Sequence, residues 1–261
     1  MSQRIGLSTG VELEYVCEGP PEAEAVLFLP GYTDSFASFA LNLPALAERH
    51  RIYGLSLRGH GNSARPATGY SQAHFVDDVV AFMDAEGLTT AAVVGHSMGS
   101  LVAHKLASEH PSRVSRLVLI GSGPSAAGNP VVGELLGAVD ALTDPVDPQF
   151  VREFQSSTFT RPVPATYLDA MVANSLKLPA SVWQQTAHGF VAEDHTDALR
   201  HITAPTLLIW GDQDGFFGER DQQALLAAIP DARLSVYEGT GHAPHAEQPH
   251  RFNRELSDFL R

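Results

Sequence analysis

The strongest constraint on how this chain can fold lies at residues 95–99, which read Gly-His-Ser-Met-Gly. This pentapeptide follows the apolar run Ala91–Val94 and precedes a helical pattern of apolar residues between Leu101 and Ala107. A G-x-S-x-G sequence between a strand and a helix predicts a very tight turn in which the residues beside the serine must be small. Such a turn lifts the Ser97 hydroxyl clear of the sheet edge and leaves a backbone N–H free to bind an oxyanion.

Short apolar runs recur along the chain and alternate with helical patterns, which is typical of a mostly parallel sheet with helices on both faces. The runs are residues 25–29, 51–57, 92–94, 117–120, 206–210 and 234–237. Residues 11–16 alternate polar and apolar side chains, and this period of two predicts a half-exposed edge strand. The sequence therefore predicts an α/β fold with a doubly wound, mostly parallel sheet.

The alternation stops between residues 125 and 200, where we find helical patterns and no convincing strand. Prolines mark predicted boundaries within this segment, at positions 145, 148, 162, 164 and 179. An insertion of this length exceeds a simple crossover, so we expect a lid over the strand ends, where open α/β sheets bind ligands. The predicted organisation is a core in two parts, residues 1–124 and 201–261, with a helical cap at residues 125–200.

Charge and composition limit the classes of partner. The 261 residues carry a formal net charge of −13, which disfavours nucleic acid and anionic membranes because both bind basic surfaces. Neither a signal peptide nor a transmembrane run is recognisable. Cys17 is the one cysteine and cannot form an internal disulfide. We expect a cytoplasmic monomer or homodimer that binds a small molecule, with no nucleic-acid or membrane partner.

Candidates for a catalytic base and its orienting acid follow the last two apolar runs. A serine hydroxyl is a weak nucleophile near neutral pH and needs both groups. Asp212 and Asp214 follow the first of these runs, and His242 follows the second. Because the carboxyl ends of parallel strands lie at one edge of the sheet, an acid and an imidazole can converge there on Ser97. Either aspartate could be the acid on this reasoning.

Five motifs occur in an order that can be compared with a known family. They are Pro30-Gly31-Tyr32, Arg58-Gly59-His60-Gly61-Asn62-Ser63, Gly95–Gly99, Gly211-x-x-Asp214, and Gly241-His242 with Glu247-x-Pro249. Together they resemble the oxyanion loop, R-G-x-G-x-S turn, nucleophile elbow, acid loop and histidine loop of the α/β-hydrolase superfamily, over nearly the whole chain. The resemblance is to the branch with a serine nucleophile and a helical cap. It implies a sheet of about eight strands, with the cap inserted after core strand six.

The resemblance also implies roles for individual residues. It makes Ser97 the nucleophile, His242 the base and Asp214 the acid, with Asp212 as the alternative. It implies an oxyanion hole formed by the backbone N–H groups of Tyr32 and Met98.

The sequence departs from the family pattern at two positions. Pro30 replaces the usual histidine, which we expect to alter loop packing more than chemistry. Ser56 stands where an aspartate often precedes the R-G-x-G turn, so a hydrogen bond to that loop is expected to be missing or replaced. We interpret Arg58 as a residue that fixes this loop rather than as a substrate ligand.

A serine in the elbow implies acyl transfer to water through an acyl-enzyme intermediate, without a cofactor. Residues 125–200 are rich in aromatic side chains and poor in cationic ones, which favours an uncharged, apolar substrate. Candidate pocket residues are Phe154, Met171 and Trp183. The expected activity is that of a carboxylesterase or lactonase acting on a small, largely uncharged ester or lactone.

Several alternatives stay open. Relatives of the same fold with a serine nucleophile include carbon–carbon bond hydrolases, cofactor-free perhydrolases and small-molecule receptors with slow turnover. His242 and His245 have a spacing that metal ligands can show, but Pro244 between them breaks the helix that such a pair needs, so we predict no metal site. The side chain of His96, inside the elbow, is expected to point away from the substrate.

Overall fold

The computed structural model describes all 261 residues, and an eight-stranded sheet lies at its centre. The strands are β1 (Gln3–Gly6), β2 (Glu12–Glu18), β3 (Ala25–Leu29), β4 (Arg51–Ser56), β5 (Ala91–His96), β6 (Val114–Ile120), β7 (Thr206–Gly211) and β8 (Ala232–Tyr237). They are arranged in the order β1-β2-β4-β3-β5-β6-β7-β8. The pairs β1–β2 and β2–β4 are antiparallel, and all the others are parallel. The predicted α/β fold is confirmed.

Strand β2 is not the edge strand that its alternating pattern predicts. Its far side pairs with β1, whose register sets Ile5 opposite Leu13. Strand β1 has only four residues and a single half-buried one, Ile5, so it carries no periodic signal in the sequence. The prediction of an edge strand at residues 11–16 was wrong because β1 covers that edge.

Alternate residues of the parallel strands enter two separate hydrophobic cores. Leu27 and Leu29 of β3 pack on one face of the sheet, whereas Val26 and Phe28 pack on the other. The ten α-helices are α1 (Leu43–Leu46), α2 (Gln72–Ala85), α3 (Met98–Glu109), α4 (Pro130–Asp140), α5 (Pro148–Ser157), α6 (Ala165–Ser175), α7 (Ala180–Val191), α8 (Glu219–Ala228), α9 (Pro244–Glu247) and α10 (Pro249–Phe259). Helices α2 and α3 contribute to the first core, and α10 contributes to the second. The sheet is therefore covered on both faces.

Residues 125–200 contain the four helices α4 to α7 and no strand. Pro130 and Pro148 occupy first-turn positions of α4 and α5, and Pro164 and Pro179 immediately precede α6 and α7. Proline is favoured at such positions because its ring fixes φ and the first turn needs no internal N–H donor. We call residues 125–200 the cap segment. No helix of the chain combines the length and the hydropathy needed to cross a bilayer.

A glutamate from β2 takes the place of the aspartate that is absent at Ser56. The Glu14 carboxylate accepts hydrogen bonds from the Ser56 hydroxyl (3.0 Å), the Asn62 backbone N–H (2.9 Å) and the Asn62 side-chain amide (2.6 Å). Burial by itself would raise the pKa of Glu14, but these hydrogen bonds outweigh it and lower the pKa. The turn at residues 58–63 is thus held by a carboxylate from a neighbouring strand.

Arg58 is a buried structural residue. Its guanidinium binds the Asp78 carboxylate through two nitrogens, at 2.7 and 2.6 Å, and donates to the carbonyl of Gly69 at 2.8 Å. This paired, bidentate geometry anchors the turn to α2. It agrees with the interpretation of Arg58 as a residue that fixes the loop.

Candidate active site

Ser97 lies between β5 and α3 in a turn that only small neighbours permit. Its backbone has a φ of +52°, a left-handed value that is rare for a residue with a side chain. A Cβ atom on Gly95 would lie 2.3 Å from the carbonyl oxygen of Gly99, and a Cβ atom on Gly99 would lie 2.2 Å from the carbonyl oxygen of Leu29. Both glycines are therefore needed for the close approach of α3 to the sheet.

The structure pairs His242 with Asp214. Nδ1 of His242 lies 2.8 Å from Oδ2 of Asp214, whose side chain is completely buried. The other carboxylate oxygen of Asp214 accepts backbone N–H groups of Phe216 (2.8 Å) and Phe217 (3.2 Å). An acceptor held in this way fixes the proton on Nδ1 and leaves Nε2 of His242 free to act as a base.

Asp212, the alternative acid, has a different partner. Its Oδ1 accepts the backbone N–H of Gly239 at 2.7 Å, in an exposed contact between two loops. It makes no hydrogen bond with His242. The geometry thus brings together His242 and Asp214, as the family resemblance implied, and leaves Asp212 in a loop-stabilising position.

Two backbone N–H groups beside Ser97 have no acceptor within the protein. One belongs to Tyr32, which follows β3, and the other to Met98, the first residue of α3. The Tyr32 side chain is buried and donates its hydroxyl to the carbonyl of Trp183 at 2.7 Å, which fixes the position of this loop. Free, fixed N–H donors of this kind can stabilise a developing oxyanion without reorganisation.

A cavity opens beside Ser97 and His242. Of the 22 residues that line it, 14 are hydrophobic and none is lysine or arginine. The cap segment contributes lining residues from α4 to α7, among them Phe154 and Met171 of the predicted pocket. Trp183 does not line the cavity. It is fully buried behind Tyr32 and Phe154, with ring centroids 5.4 and 5.5 Å away, and supports the lining from behind.

Two further imidazoles line the cavity beside His242. His96 interacts through Nε2 with the carbonyl of His242 at 3.1 Å, and its ring centroid lies 4.5 Å from that of His245. Its position in the lining differs from the expectation that its side chain points away. Burial, together with the neighbouring imidazoles, lowers the pKa of both residues, that of His245 to about 3. Both rings are therefore neutral near pH 7.

The arrangement of His242 and His245 does not resemble a metal site. Helix α9 begins at Pro244, so His242 lies outside it. No group of three or more histidine, cysteine, aspartate or glutamate side chains is arranged to hold a metal ion.

Sequence reasoning missed one acidic residue of the cavity. Asp34 follows the oxyanion loop, is 7% exposed, and accepts a hydrogen bond from the Gln155 amide of α5 at 3.0 Å. Burial raises the pKa of Asp34 to about 7, against the lowering effects of Gln155 and His242. A carboxylate three residues after Gly31 was the available signal, but its partner is 121 residues away.

Comparisons with known proteins identify the family of this chain. The family model described as the alpha/beta hydrolase fold matches residues 24–249. A Variovorax paradoxus protein named "Putative carbamate hydrolase RutD" is 32% identical over 262 residues, which cover 95% of this chain and 96% of that protein. A 2-hydroxy-6-oxononadienedioate/2-hydroxy-6-oxononatrienedioate hydrolase of Burkholderia vietnamiensis is 31% identical, covering 89% of this chain and 84% of that protein.

A solved structure shares the same fold. An esterase from Exiguobacterium antarcticum superposes with a TM-score of 0.90 at 25% identity, over 100% of this chain and 99% of that one. The match over residues 24–249 shows the family. The sheet order and the turn at Ser97 agree with that family's fold. The chain is a hydrolase and belongs to the α/β-hydrolase fold family.

Proposed function

We propose that this protein is a serine hydrolase that cleaves small, largely uncharged carboxylic esters or lactones. The observation that carries the proposal is the 2.8 Å contact between His242 and the buried Asp214 carboxylate, at the edge of the sheet where the turn presents Ser97. A histidine with one nitrogen held by a carboxylate is suited to accept a proton from a serine hydroxyl through the other.

In the proposed mechanism, Ser97 Oγ attacks the carbonyl carbon while Nε2 of His242 takes the hydroxyl proton. The carbonyl oxygen becomes an oxyanion and accepts hydrogen bonds from the Tyr32 and Met98 N–H groups. Collapse of this intermediate expels the leaving group, which receives the proton from His242, and an ester to Ser97 remains. Water, deprotonated by His242, then releases the acid and restores the serine.

The cavity lining supports an uncharged substrate. Most lining residues are apolar, and the absence of lysine and arginine leaves a bound carboxylate without a cationic partner. The name of the Burkholderia vietnamiensis relative describes a substrate with two carboxylates. Asp34 in the lining would repel such a dianion, so we place carbon–carbon bond hydrolysis of dicarboxylates second to ester hydrolysis.

The same serine chemistry extends to other acyl groups. A carbamate, which the name of the Variovorax paradoxus relative mentions, presents a carbonyl that Ser97 would attack in the same way. The perhydrolase and receptor alternatives also use this arrangement. A receptor would show a single slow cycle, whereas an enzyme shows sustained turnover.

The test is steady-state hydrolysis of nitrophenyl esters from acetate to octanoate and of several lactones, with Ser97→Ala as the inactive control. We expect sustained turnover that the substitution abolishes. A fluorophosphonate probe, followed by mass spectrometry of peptides, should label Ser97 alone. Turnover that persists in Ser97→Ala would overturn the mechanism, and one burst without turnover would favour the receptor.

A further inference from the structure

Asp34 is the one carboxyl side chain that lines the cavity. No lysine or arginine lines the same cavity, and Asp34 takes part in no ion pair. A buried carboxyl normally has its hydrogen-bonding capacity satisfied by the protein, because an unpaired polar group is costly in an apolar site. Asp34 has no such charge partner, and its one side-chain hydrogen bond within the protein comes from Gln155.

The hydrogen bonds of Asp34 leave one of its oxygens free. Oδ1 accepts the Gln155 amide at 3.0 Å, whereas Oδ2 has no partner within the protein. The same amide nitrogen also donates to the Ser175 hydroxyl at 2.9 Å, which orients Gln155 and leaves its Oε1 without a partner too. Neither oxygen is sealed from solvent, and both residues line the cavity.

Both free oxygens are acceptors, so the group that would satisfy them is a hydrogen-bond donor. When it is ionised, the Asp34 carboxylate has no proton to donate, so the Gln155 NH₂ group turns toward Asp34 rather than into the cavity. The two side chains thus present acceptors to whatever occupies the cavity.

The position of Asp34 indicates which part of a substrate it would meet. It lies two residues after Tyr32 in the same tight loop, where its own N–H bonds the carbonyl of Gly31 at 3.2 Å. A substrate whose carbonyl oxygen binds the Tyr32 N–H brings the atoms next to that carbonyl toward this loop. Asp34 is also close enough to His242 for the imidazole to influence its ionisation.

We propose that Asp34 and Gln155 are specificity-determining residues that select acyl groups bearing a hydroxyl or ammonium donor near the scissile carbonyl. The inference rests on the proposed ester hydrolysis and adds a substrate class to it, the hydroxy- or amino-substituted acyl esters, of which the ammonium-bearing esters are an exception to the uncharged class proposed above. A plain alkyl chain leaves both acceptors unpaired in an apolar site, and a donor-bearing chain of the same size satisfies them. A site built around such a hydrogen bond discriminates against the analogue that lacks it, here by roughly 10-fold or more in kcat/KM.

The ionisation of Asp34 supplies a second readout. Burial raises the pKa of Asp34 to about 7, so the carboxyl gains its full acceptor strength as the pH rises through neutrality. The other titratable groups that line the same cavity are His242, His96, His245, Tyr32 and Tyr167. His242 acts in the same way on every ester, so its contribution cancels in a ratio of two substrates, whereas the effect of Asp34 remains.

The experiment compares nitrophenyl esters of three acids with the same number of heavy atoms: butanoic, 3-hydroxypropanoic and 3-aminopropanoic acid. The kcat/KM ratio of each donor-bearing ester to the butanoate is measured at about pH 8, above the pKa of the Asp34 carboxyl. Asp34→Asn is the test variant, because Asn would turn its oxygen toward Gln155 and its NH₂ group into the cavity. Asp169→Asn, on the exposed face of α6, is the matched control.

We expect a wild-type ratio of roughly 10 or more, which Asp34→Asn reduces to about one and Asp169→Asn preserves. Comparing the ratio for the hydroxyl-bearing ester with that for the ammonium-bearing ester shows whether the favoured donor is neutral or charged. If Asp34→Asn does not fold, the wild-type ratio alone decides, since it must fall as the pH is lowered below about 7.

Two results would count against the inference. The inference is overturned if the kcat/KM ratio is near one in the wild type, or if neither Asp34→Asn nor a lower pH reduces it. Ester hydrolysis itself would still stand in both cases. Absence of any Ser97-dependent turnover of the butanoate ester instead overturns the proposed function itself.

Discussion

The backbone N–H of Thr160 donates a 3.0 Å hydrogen bond to Oε2 of Glu247, which joins the cap segment to the loop of the candidate base. The same carboxylate accepts the N–H of Arg161 at 2.6 Å and that of Gly241 at 3.0 Å. The N–H of His242 in turn donates to the carbonyl of Thr158 at 2.9 Å. The position of the imidazole therefore depends on the end of α5.

Replacing Glu247 with Gln should destabilise the protein and displace His242. An amide keeps one acceptor oxygen and turns an NH₂ group toward backbone donors, so part of the network is lost. We expect the free energy of unfolding to fall by about 2–3 kcal/mol, as for a buried hydrogen bond to a charged group. We also expect kcat to fall more than KM rises, because the change affects the base rather than the lining.

Chemical denaturation and ester kinetics measure these two effects, with Glu134→Gln on the exposed face of α4 as the control. A Glu247→Gln protein with wild-type stability and wild-type kcat would show that this contact does not position His242.

The two aspartates of the acid loop should respond very differently to amidation. Asp214→Asn removes the acceptor that holds Nδ1–H of His242 and favours the wrong tautomer, so we expect kcat to fall by roughly 10⁴. Asp212→Asn keeps an oxygen that can accept the Gly239 N–H, so activity should stay within about twofold of wild type. Steady-state kinetics on one nitrophenyl ester compares them. Equal losses from both variants would mean that the acid is wrongly assigned.

The sequence predicted the local features of this site because they depend on short-range constraints. The turn at Ser97 is encoded by Gly95 and Gly99, whereas only the resemblance of Gly211-x-x-Asp214 to the family's acid loop favours Asp214 over Asp212. Strand β1 could not be predicted because its four residues, with a single half-buried side chain, show no periodic pattern of hydrophobicity. The division at residues 124 and 200 and the catalytic roles stay predictions.

Contacts between distant residues could not be read from the sequence. Glu14 substitutes for the missing acid at Ser56 from 42 positions away, and Gln155 reaches Asp34 across 121 positions. The aromatic character of Trp183 predicts a pocket residue. Whether an aromatic ring lines a cavity or supports its wall depends on tertiary packing, which periodicity does not report.

Alanine at Gly99 and at Gly137 should have opposite effects on stability. A Cβ atom on Gly99 would lie 2.2 and 2.5 Å from the backbone oxygens of Leu29 and Pro30, which have no freedom to move. We expect Gly99→Ala to cost about 3 kcal/mol or more, or to prevent folding. Gly137 is exposed in α4 and nothing lies near its Cβ position, so Gly137→Ala should stabilise by about 0.5–1 kcal/mol. Thermal unfolding measures the melting temperatures of the two variants. Equal shifts in melting temperature would mean that the turn at Ser97 is loosely packed.

Several buried imidazoles make the fold sensitive to acid. His60, His96, His104 and His245 are each almost completely buried, and each has at least one ring nitrogen without a hydrogen-bond partner. Burial lowers the pKa of all four, that of His60 to about 4 and that of His245 to about 3. They are neutral in the folded protein at a pH where the unfolded chain has already bound protons.

Stability should therefore fall as the pH decreases from about 6.5, the pKa of an unfolded histidine, toward 4. The unfolded state binds more protons in this window, so each such histidine lowers the free energy of unfolding by up to about 1.4 kcal/mol per pH unit. Asp34 acts in the opposite direction between about 4 and 7, because the folded state keeps its proton. One carboxyl opposes four imidazoles, so the net slope should be a loss of stability in acid.

Denaturant titrations at several pH values between 7 and 5 measure this slope. His60→Gln should reduce the slope by the contribution of about one bound proton, whatever its effect on absolute stability. The slope depends on how many protons the folded and unfolded states bind, not on which contacts are lost. His250→Gln, at an exposed position, is the matched control. A free energy of unfolding that stays constant between pH 7 and 5 would show that these rings find partners or solvent in the folded protein.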